Sequence, residues 1–182
     1  PWCEVEAPAK LNLFLEVLAR RTDGYHELDT LMLAVDLCDR LRVRRTSDGQ
    51  VSLRVSGEQA TADIPSDARN LAVRAALEAL ALARRCGAAQ ASDGVELELD
   101  KRIPSQAGLG GASSDAAAAL QAVELALDWK ASEAQAGELL AALGSDTVFF
   151  RQAARFGAAR CTGRGEHVEA LELPAPVHLA LI

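Results

Sequence analysis

Pro104-Ser105-Gln106-Ala107-Gly108-Leu109-Gly110-Gly111-Ala112-Ser113-Ser114-Asp115 runs directly into the alanine-rich segment Ala116 to Leu120. Gly108, Gly110 and Gly111 precede two hydroxyls and a carboxylate, and the residues after them suit a helix. Glycine lets the backbone take positive φ angles and lets a ligand approach the main chain without meeting a Cβ. The first turn of the following helix has amide N–H groups without internal partners, at the positive end of the helix dipole. A loop of this composition opening a helix is a site for phosphate.

Two better-known phosphate loops do not fit. GxxxxGK[ST] fails because no lysine follows Gly111. GxGxxG fails because the third glycine falls on Ser113, and Ile103-Pro104-Ser105 separates the loop from the strand before it. The remaining alternative is a flexible turn before a capped helix, against which stand the two serines and the acid beside the glycines.

The chain of 182 residues is long enough for one good core. Half of it is apolar and aromatics make up only 4%, so the core is expected to be Leu, Val and Ala. The net charge of −7 argues against a nucleic-acid partner, and an anionic ligand must be held by a local device. Cys3, Cys38, Cys86 and Cys161 have no metal-ligand spacing and read as free thiols. No apolar run reaches the roughly 20 residues of a membrane span, and no signal peptide is visible, which predicts a cytoplasmic protein without a membrane partner.

Around the loop, Cys3 to Val17 reads as strand broken near Pro8, with Leu11, Leu13 and Leu15 on one face and Lys10 and Asn12 on the other, solvated one. Arg20 to Glu27 is a polar turn containing Asp23-Gly24, and Leu28 to Val35 is a strand. Arg40–Arg45 and Val51–Val55 read as a hairpin around Ser47-Asp48-Gly49, with the arginines solvated. Ser66 or Asp67 caps a helix from Ala68 to Cys86, and Gly94 opens an alternating strand through Asp100. The helix after the loop runs to about Leu127. Ser132-Glu133-Ala134-Gln135 is a capping box for a helix that stops at Gly144. Phe156–Thr162 and Val177–Ile182 read as strands joined through a turn at Gly163–Glu166. This order predicts an α+β fold with a mixed, mostly antiparallel sheet packed on helices, rather than a doubly wound sheet. The chain stops within an apolar stretch, which predicts a further C-terminal part.

The loop from Pro104 to Ala118 resembles the phosphate-binding motif of the GHMP kinase superfamily, P-x-x-x-G-L-G-S/G-S-S/A. Ala7-Pro8-Ala9-Lys10-Leu11-Asn12-Leu13, Arg21-Thr22-Asp23-Gly24-Tyr25-His26-Glu27-Leu28, Asn70 to Ala75 and Leu143-Gly144-Ser145-Asp146 are similar, in order and spacing, to one branch of it. That branch phosphorylates the 2-hydroxyl of a cytidine diphosphate-linked methylerythritol in the non-mevalonate isoprenoid pathway. The resemblance implies a ribosomal-protein-S5-domain-2-like fold, an ATP-binding domain over residues 1–170, and the start of a second domain over residues 171–182. It implies ATP and Mg²⁺ as cofactors and a small-molecule substrate. It makes Asp146 the general base and Lys10 the cation that pairs with it and neutralises the transferred phosphoryl group. Pro104, Gly108, Leu109, Gly110, Gly111, Ala112, Ser113 and Ser114 form the triphosphate cradle, the two hydroxyls adding contacts to phosphate or Mg²⁺. Asn70 is expected near adenine. Asn12, Tyr25 and His26 hold the cytidine diphosphate part, Tyr25 stacking on cytosine and His26 reading its edge.

The sequence departs from the branch's pattern twice. Asp146-Thr147-Val148 stands where Asp-Val-Pro is usual, and Arg151-Gln152-Ala153-Ala154 replaces a Gly-Gly pair. The proline's loss is expected to free the backbone beside Asp146. A kinase of the superfamily acting on mevalonate or a sugar, and a non-catalytic nucleotide-binding homologue, are the rival readings. Without a second domain, the chain alone is expected to be a poor enzyme.

Overall fold

The computed structural model describes residues 1–22, 24–173, 175 and 177–180, with the backbone alone for residues 154–156. Its elements are β1 (Cys3–Arg20), β2 (His26–Thr46), β3 (Val51–Ser56), α1 (Leu71–Arg85), β4 (Gly94–Asp100), α2 (Gly111–Ala126), α3 (Glu133–Leu143), α4 (Thr147–Phe156), β5 (Ala158–Gly163) and β6 (His167–Leu171). They form one mixed sheet in the order β3-β4-β2-β5-β6, with β1 also paired to β2. The helices pack on it, which is the α+β arrangement expected.

The predicted hairpin of β2 with β3 does not form. β4 lies between them, antiparallel to β2 over Arg40–Thr46 and parallel to β3. Charge favours the order, because β4 interposes Glu96 and Glu98 between the arginines of β2 and Arg54. Arg44 Nε donates to Glu96 Oε2 at 2.7 Å and Arg42 Nη1 to Glu98 Oε2 at 3.0 Å, while Arg54 reaches both glutamates from the other side. The arginines are therefore a cross-strand ladder, with Arg42 and Arg44 also each 4.9 Å from the centre of the Trp2 ring. The alternate residues Val95, Leu97 and Leu99 enter the core.

Buried alanines along α2, from Ala116 to Ala119 with Ala122, bring its backbone close to the sheet and to α1. α1 starts later than expected. Asn70 caps it, accepting from the amide of Ala72 at 2.9 Å, and Asp67 instead holds the preceding turn through Arg69. The Ser132–Gln135 capping box of α3 forms as read.

Two elements escaped the sequence reading, α4 immediately after Asp146 and the edge strand β6. The strand expected over residues 177–182 is not formed over 177–180, and its last two residues, like Asp23 of the first turn, lie outside the described residues. The expected solvation of β1 is inverted: Lys10 is 7% exposed while Leu13, Phe14 and Leu15 are about half exposed. β1 shifts register against β2 between Pro8 and Lys10, and again between Asn12 and Phe14. Such bulges re-aim side chains, and these two bracket Lys10 and Asn12.

Candidate phosphate-loop and carboxylate site

Residues 104–110 connect the turn after β4 to α2, and the backbone takes positive φ at Gln106 (61°), Gly108 (73°) and Gly110 (73°). The glycines adopt these angles without penalty; Gln106 is held there against its preference, as happens at ligand-binding loops. Gly110 also permits close packing. A Cβ there meets Phe150 Cζ at 2.8 Å and Lys10 Cγ at 3.1 Å. Among the described residues no side chain caps α2 and no acidic residue lies in its first turn, so its N-terminal amides are open to an anionic ligand. A cavity of about 390 Å³ opens here, lined by Pro104, Gly108, Leu109, Gly110, Gly111, Ala112 and Ser113 together with Asn70. Asn70 already serves α1, its amide donating to Pro65 O at 2.8 Å. Ser114 is placed differently: it does not line the cavity, and its buried hydroxyl has no partner among the described residues.

Lys10 joins this loop to a carboxylate. Its backbone N–H donates to Leu109 O at 2.9 Å, and its Nζ lies 3.7 Å from Asp146 Oδ2. The ammonium also donates to Asn12 Oδ1 at 2.5 Å. Asn12 Nδ2 in turn donates to Thr30 Oγ1 at 2.7 Å, and that hydroxyl donates to Phe14 O at 2.7 Å. Asn12 thus orients Lys10, and Thr30, fully buried, completes a chain that the sequence reading did not include.

Asp146 precedes α4 yet makes no side-chain cap to it, which leaves its carboxylate to Lys10. The turn that carries it is pinned by Thr147, buried, whose Oγ1 lies 2.6 Å from Leu140 O and 2.8 Å from Gly144 O. The backbone expected to be loosened by the missing proline is instead fastened by this hydroxyl. Thr147→Val removes the one hydroxyl proton shared between these carbonyls, Leu140 O keeping the Gly144 amide at 3.2 Å, and is expected to cost about 1–3 kcal/mol in urea unfolding, with kcat falling as Asp146 drifts. Arg151, at the second departure, is bonded bidentately to Glu124 on α2, at 2.7 and 3.1 Å. Nearby Cys161 is no nucleophile: burial first, and then the charge of Asp146, push its thiol up to about 12.

Tyr25 and His26 stand apart from the cavity, both exposed, at the turn where Arg21 N–H donates to Tyr25 O at 2.8 Å. The Arg164 guanidinium lies 4.8 Å from the Tyr25 ring centre. Its turn also reaches Asp146's neighbour, since a Cβ on Gly165 meets Ser145 O at 3.2 Å. One short turn therefore touches both the aromatic and the carboxylate ends of the site.

Beneath the loop lies a buried ionic cluster that the sequence reading missed. Lys101 Nζ donates to Asp39 Oδ2 and, at 2.8 Å, to Asp115 Oδ2. Asp39 Oδ1 accepts the amides of Arg102 (2.5 Å) and Ile103 (2.8 Å). Burial lifts the Asp115 carboxyl to about 7, a rise the neighbouring Lys101 only partly offsets. Folded Asp115 therefore holds its proton over a range, from about pH 4 to 7, where the unfolded chain releases it. Stability from this group is full below pH 4 and falls as pH rises, by on the order of 1 kcal/mol per pH unit across the window. Asp115→Asn is expected to flatten that slope and to raise the urea midpoint at pH 8.

Residues 70–151 match the family model of the GHMP kinases N terminal domain. The 4-diphosphocytidyl-2-C-methyl-D-erythritol kinase of Rhodopirellula baltica is 41% identical to this chain, over 100% of the chain and 61% of that protein. The same enzyme of Desulfotalea psychrophila is 46% identical, over 92% of the chain and 53% of its own length. A crystal structure of 4-(cytidine 5'-diphospho)-2C-methyl-D-erythritol kinase superposes with a TM-score of 0.70 at 41% identity, covering 94% of this chain and 56% of that one. Homoserine kinase from Cytophaga hutchinsonii, 20% identical with a TM-score of 0.64 over 96% of this chain and 52% of its own, shares the fold. The chain spans little more than half the length of the relatives it matches.

Proposed function

Because the chain belongs to the GHMP kinases, whose N-terminal domain it carries, we propose that its parent protein phosphorylates 4-diphosphocytidyl-2-C-methyl-D-erythritol. ATP is the donor and the substrate's 2-hydroxyl the acceptor, in the cytoplasm and on the non-mevalonate route to isoprenoids. Residues 1–170 serve as the ATP-binding domain, and residues 171–182 lead into a second. The observation that carries this reading is Lys10, which touches the phosphate loop through its main chain and Asp146 through its ammonium.

Asp146 takes the proton of the substrate hydroxyl as that oxygen bonds to the γ-phosphorus. The bond from the γ-phosphorus to the bridging oxygen breaks, and ADP departs with the electron pair. Lys10, aimed by Asn12 and Thr30, neutralises charge on the group in transit, where electrostatic stabilisation does most of the work. The amides from Gly108 to Ser113 hold the phosphates, and Asn70 borders the nucleoside. Tyr25 offers its ring to cytosine and His26 its edge. Mg²⁺, when bound, neutralises the donor's phosphates. Ser113, which lines the cavity at the start of α2, would offer it a hydroxyl.

The full-length protein, given ATP, is expected to phosphorylate the cytidyl substrate and to leave mevalonate untouched. Equal use of mevalonate favours another small-molecule kinase, and binding of both ligands without product favours a non-catalytic homologue.

A further inference from the structure

The phosphate loop is a run of glycines and small residues, yet its amides must hold one arrangement to meet a triphosphate. The Lys10–Leu109 bond ties the loop to the sheet near its end. Its two ends are governed by the cluster beneath it. At the entry, the amides of Arg102 and Ile103 are fixed on Asp39 Oδ1, immediately before Pro104, which has no amide hydrogen of its own. Lys101, one residue earlier, is anchored through its own amide to Ser56 O at 2.7 Å. At the exit, in the second turn of α2, Asp115 Oδ2 accepts from the Lys101 ammonium, which also serves Asp39. A Cβ on Gly111 lies 3.3 Å from that same ammonium. One buried cation therefore sets the distance between where the chain leaves the sheet and where α2 begins.

We propose that Asp115 is a positioning residue for nucleotide binding, acting through Lys101 and Asp39 to hold the two ends of the phosphate loop in register. The proposal rests on the kinase reading above. Lys10 is assigned to the reacting phosphoryl group, whereas Lys101, which borders the same cavity, has its ammonium engaged by Asp39 and Asp115. The cluster's role is the shape of the cradle. A loop whose ends are held in place loses less conformational freedom when it binds, and affinity gains by that difference. Asp115 Oδ1 makes no bond among the described residues, so the side chain ties α2 to the cluster through Oδ2 and the Lys101 ammonium.

Asp115→Ala in the full-length protein removes the exit anchor and leaves Lys101 neutralised by Asp39, so the fold survives. The ATP KM is expected to rise about 10–100-fold, the cost of misplacing a binding group by roughly an ångström, while the KM for the cytidyl substrate stays put. Asp115→Asn keeps an oxygen for Lys101 and is expected to retain the wild-type ATP KM. Amide hydrogen exchange on the ligand-free protein supplies a readout independent of catalysis: Asp115→Ala speeds exchange across residues 105–114 and leaves α1 unchanged. If the wild-type protein proves not to be a kinase, this exchange pattern and calorimetric ATP binding still decide the matter. A lower melting temperature with unaltered loop exchange and unaltered ATP affinity overturns the proposal, as does an equal rise in both KM values.

Discussion

Asp146→Asn in the full-length protein is expected to lower kcat about 10²–10⁴-fold while leaving the ATP dissociation constant unchanged. The amide is nearly the same size as the carboxylate and sits on the same turn, fixed by Thr147. What it loses is the ability to accept the hydroxyl's proton. Lys10 keeps its bond to Asn12 and its main-chain link to Leu109, so the phosphate loop stays in place. Steady-state kinetics gives the first quantity and calorimetry the second. Turnover equal to wild type removes Asp146 from the role of base, and a matching loss of ATP binding reassigns it to the cradle.

The second large effect concerns stability. Arg151→Ala leaves Glu124, 6% exposed, without its guanidinium, and is expected to cost about 3–5 kcal/mol. Against a total of about 5–15 kcal/mol for a typical domain, that loss brings unfolding within reach of physiological temperature. Glu124 Oε1 also accepts the Ala131 amide at 3.1 Å, so the remedy must keep an oxygen there. The double variant Arg151→Met with Glu124→Gln removes both charges and retains that bond, and most of the lost stability is expected to return. Urea unfolding of the two variants tests this directly; a double variant as weak as the single one places the effect in packing rather than charge.

The glycine turn before α2 and the Ser132–Gln135 capping box of α3 were legible in the sequence because their signals are local. Glycine before an alanine run, and Ser-Glu-Ala-Gln before a helix, carry their geometry within a few residues. The β2–β3 hairpin was misread because a turn says only that two strands are consecutive, whereas pairing is decided by what else competes for the edge; Glu96 and Glu98 lie some forty residues away. Lys10 was read on the solvated side because simple alternation ignores bulges, and here two register shifts turn it into the site. Asp39 and Lys101 carried no motif. One of three aspartates in β2 (Asp29, Asp36 and Asp39), and a lysine where a core strand ends, are the only traces they leave in the sequence. α4 was missed because Val148-Phe149-Phe150 is too short an apolar run to reveal a helical period.

β2 is shared by three partner strands: β1 along most of its length, β4 on its second half and β5 on its first. The pairing with β5 joins Asp29 to Arg160, 131 residues apart. Folding of this domain therefore has to close loops of this length, and the entropy of doing so slows it relative to a fold of local contacts. During synthesis the β1–β2 ribbon emerges first, with Leu13, Phe14 and Leu15 uncovered and the inner edge of β2 open until residue 163 has left the ribosome. That interval adds an open strand edge to the apolar residues that stay half exposed in the finished fold, and an unpaired edge beside apolar surface favours aggregation.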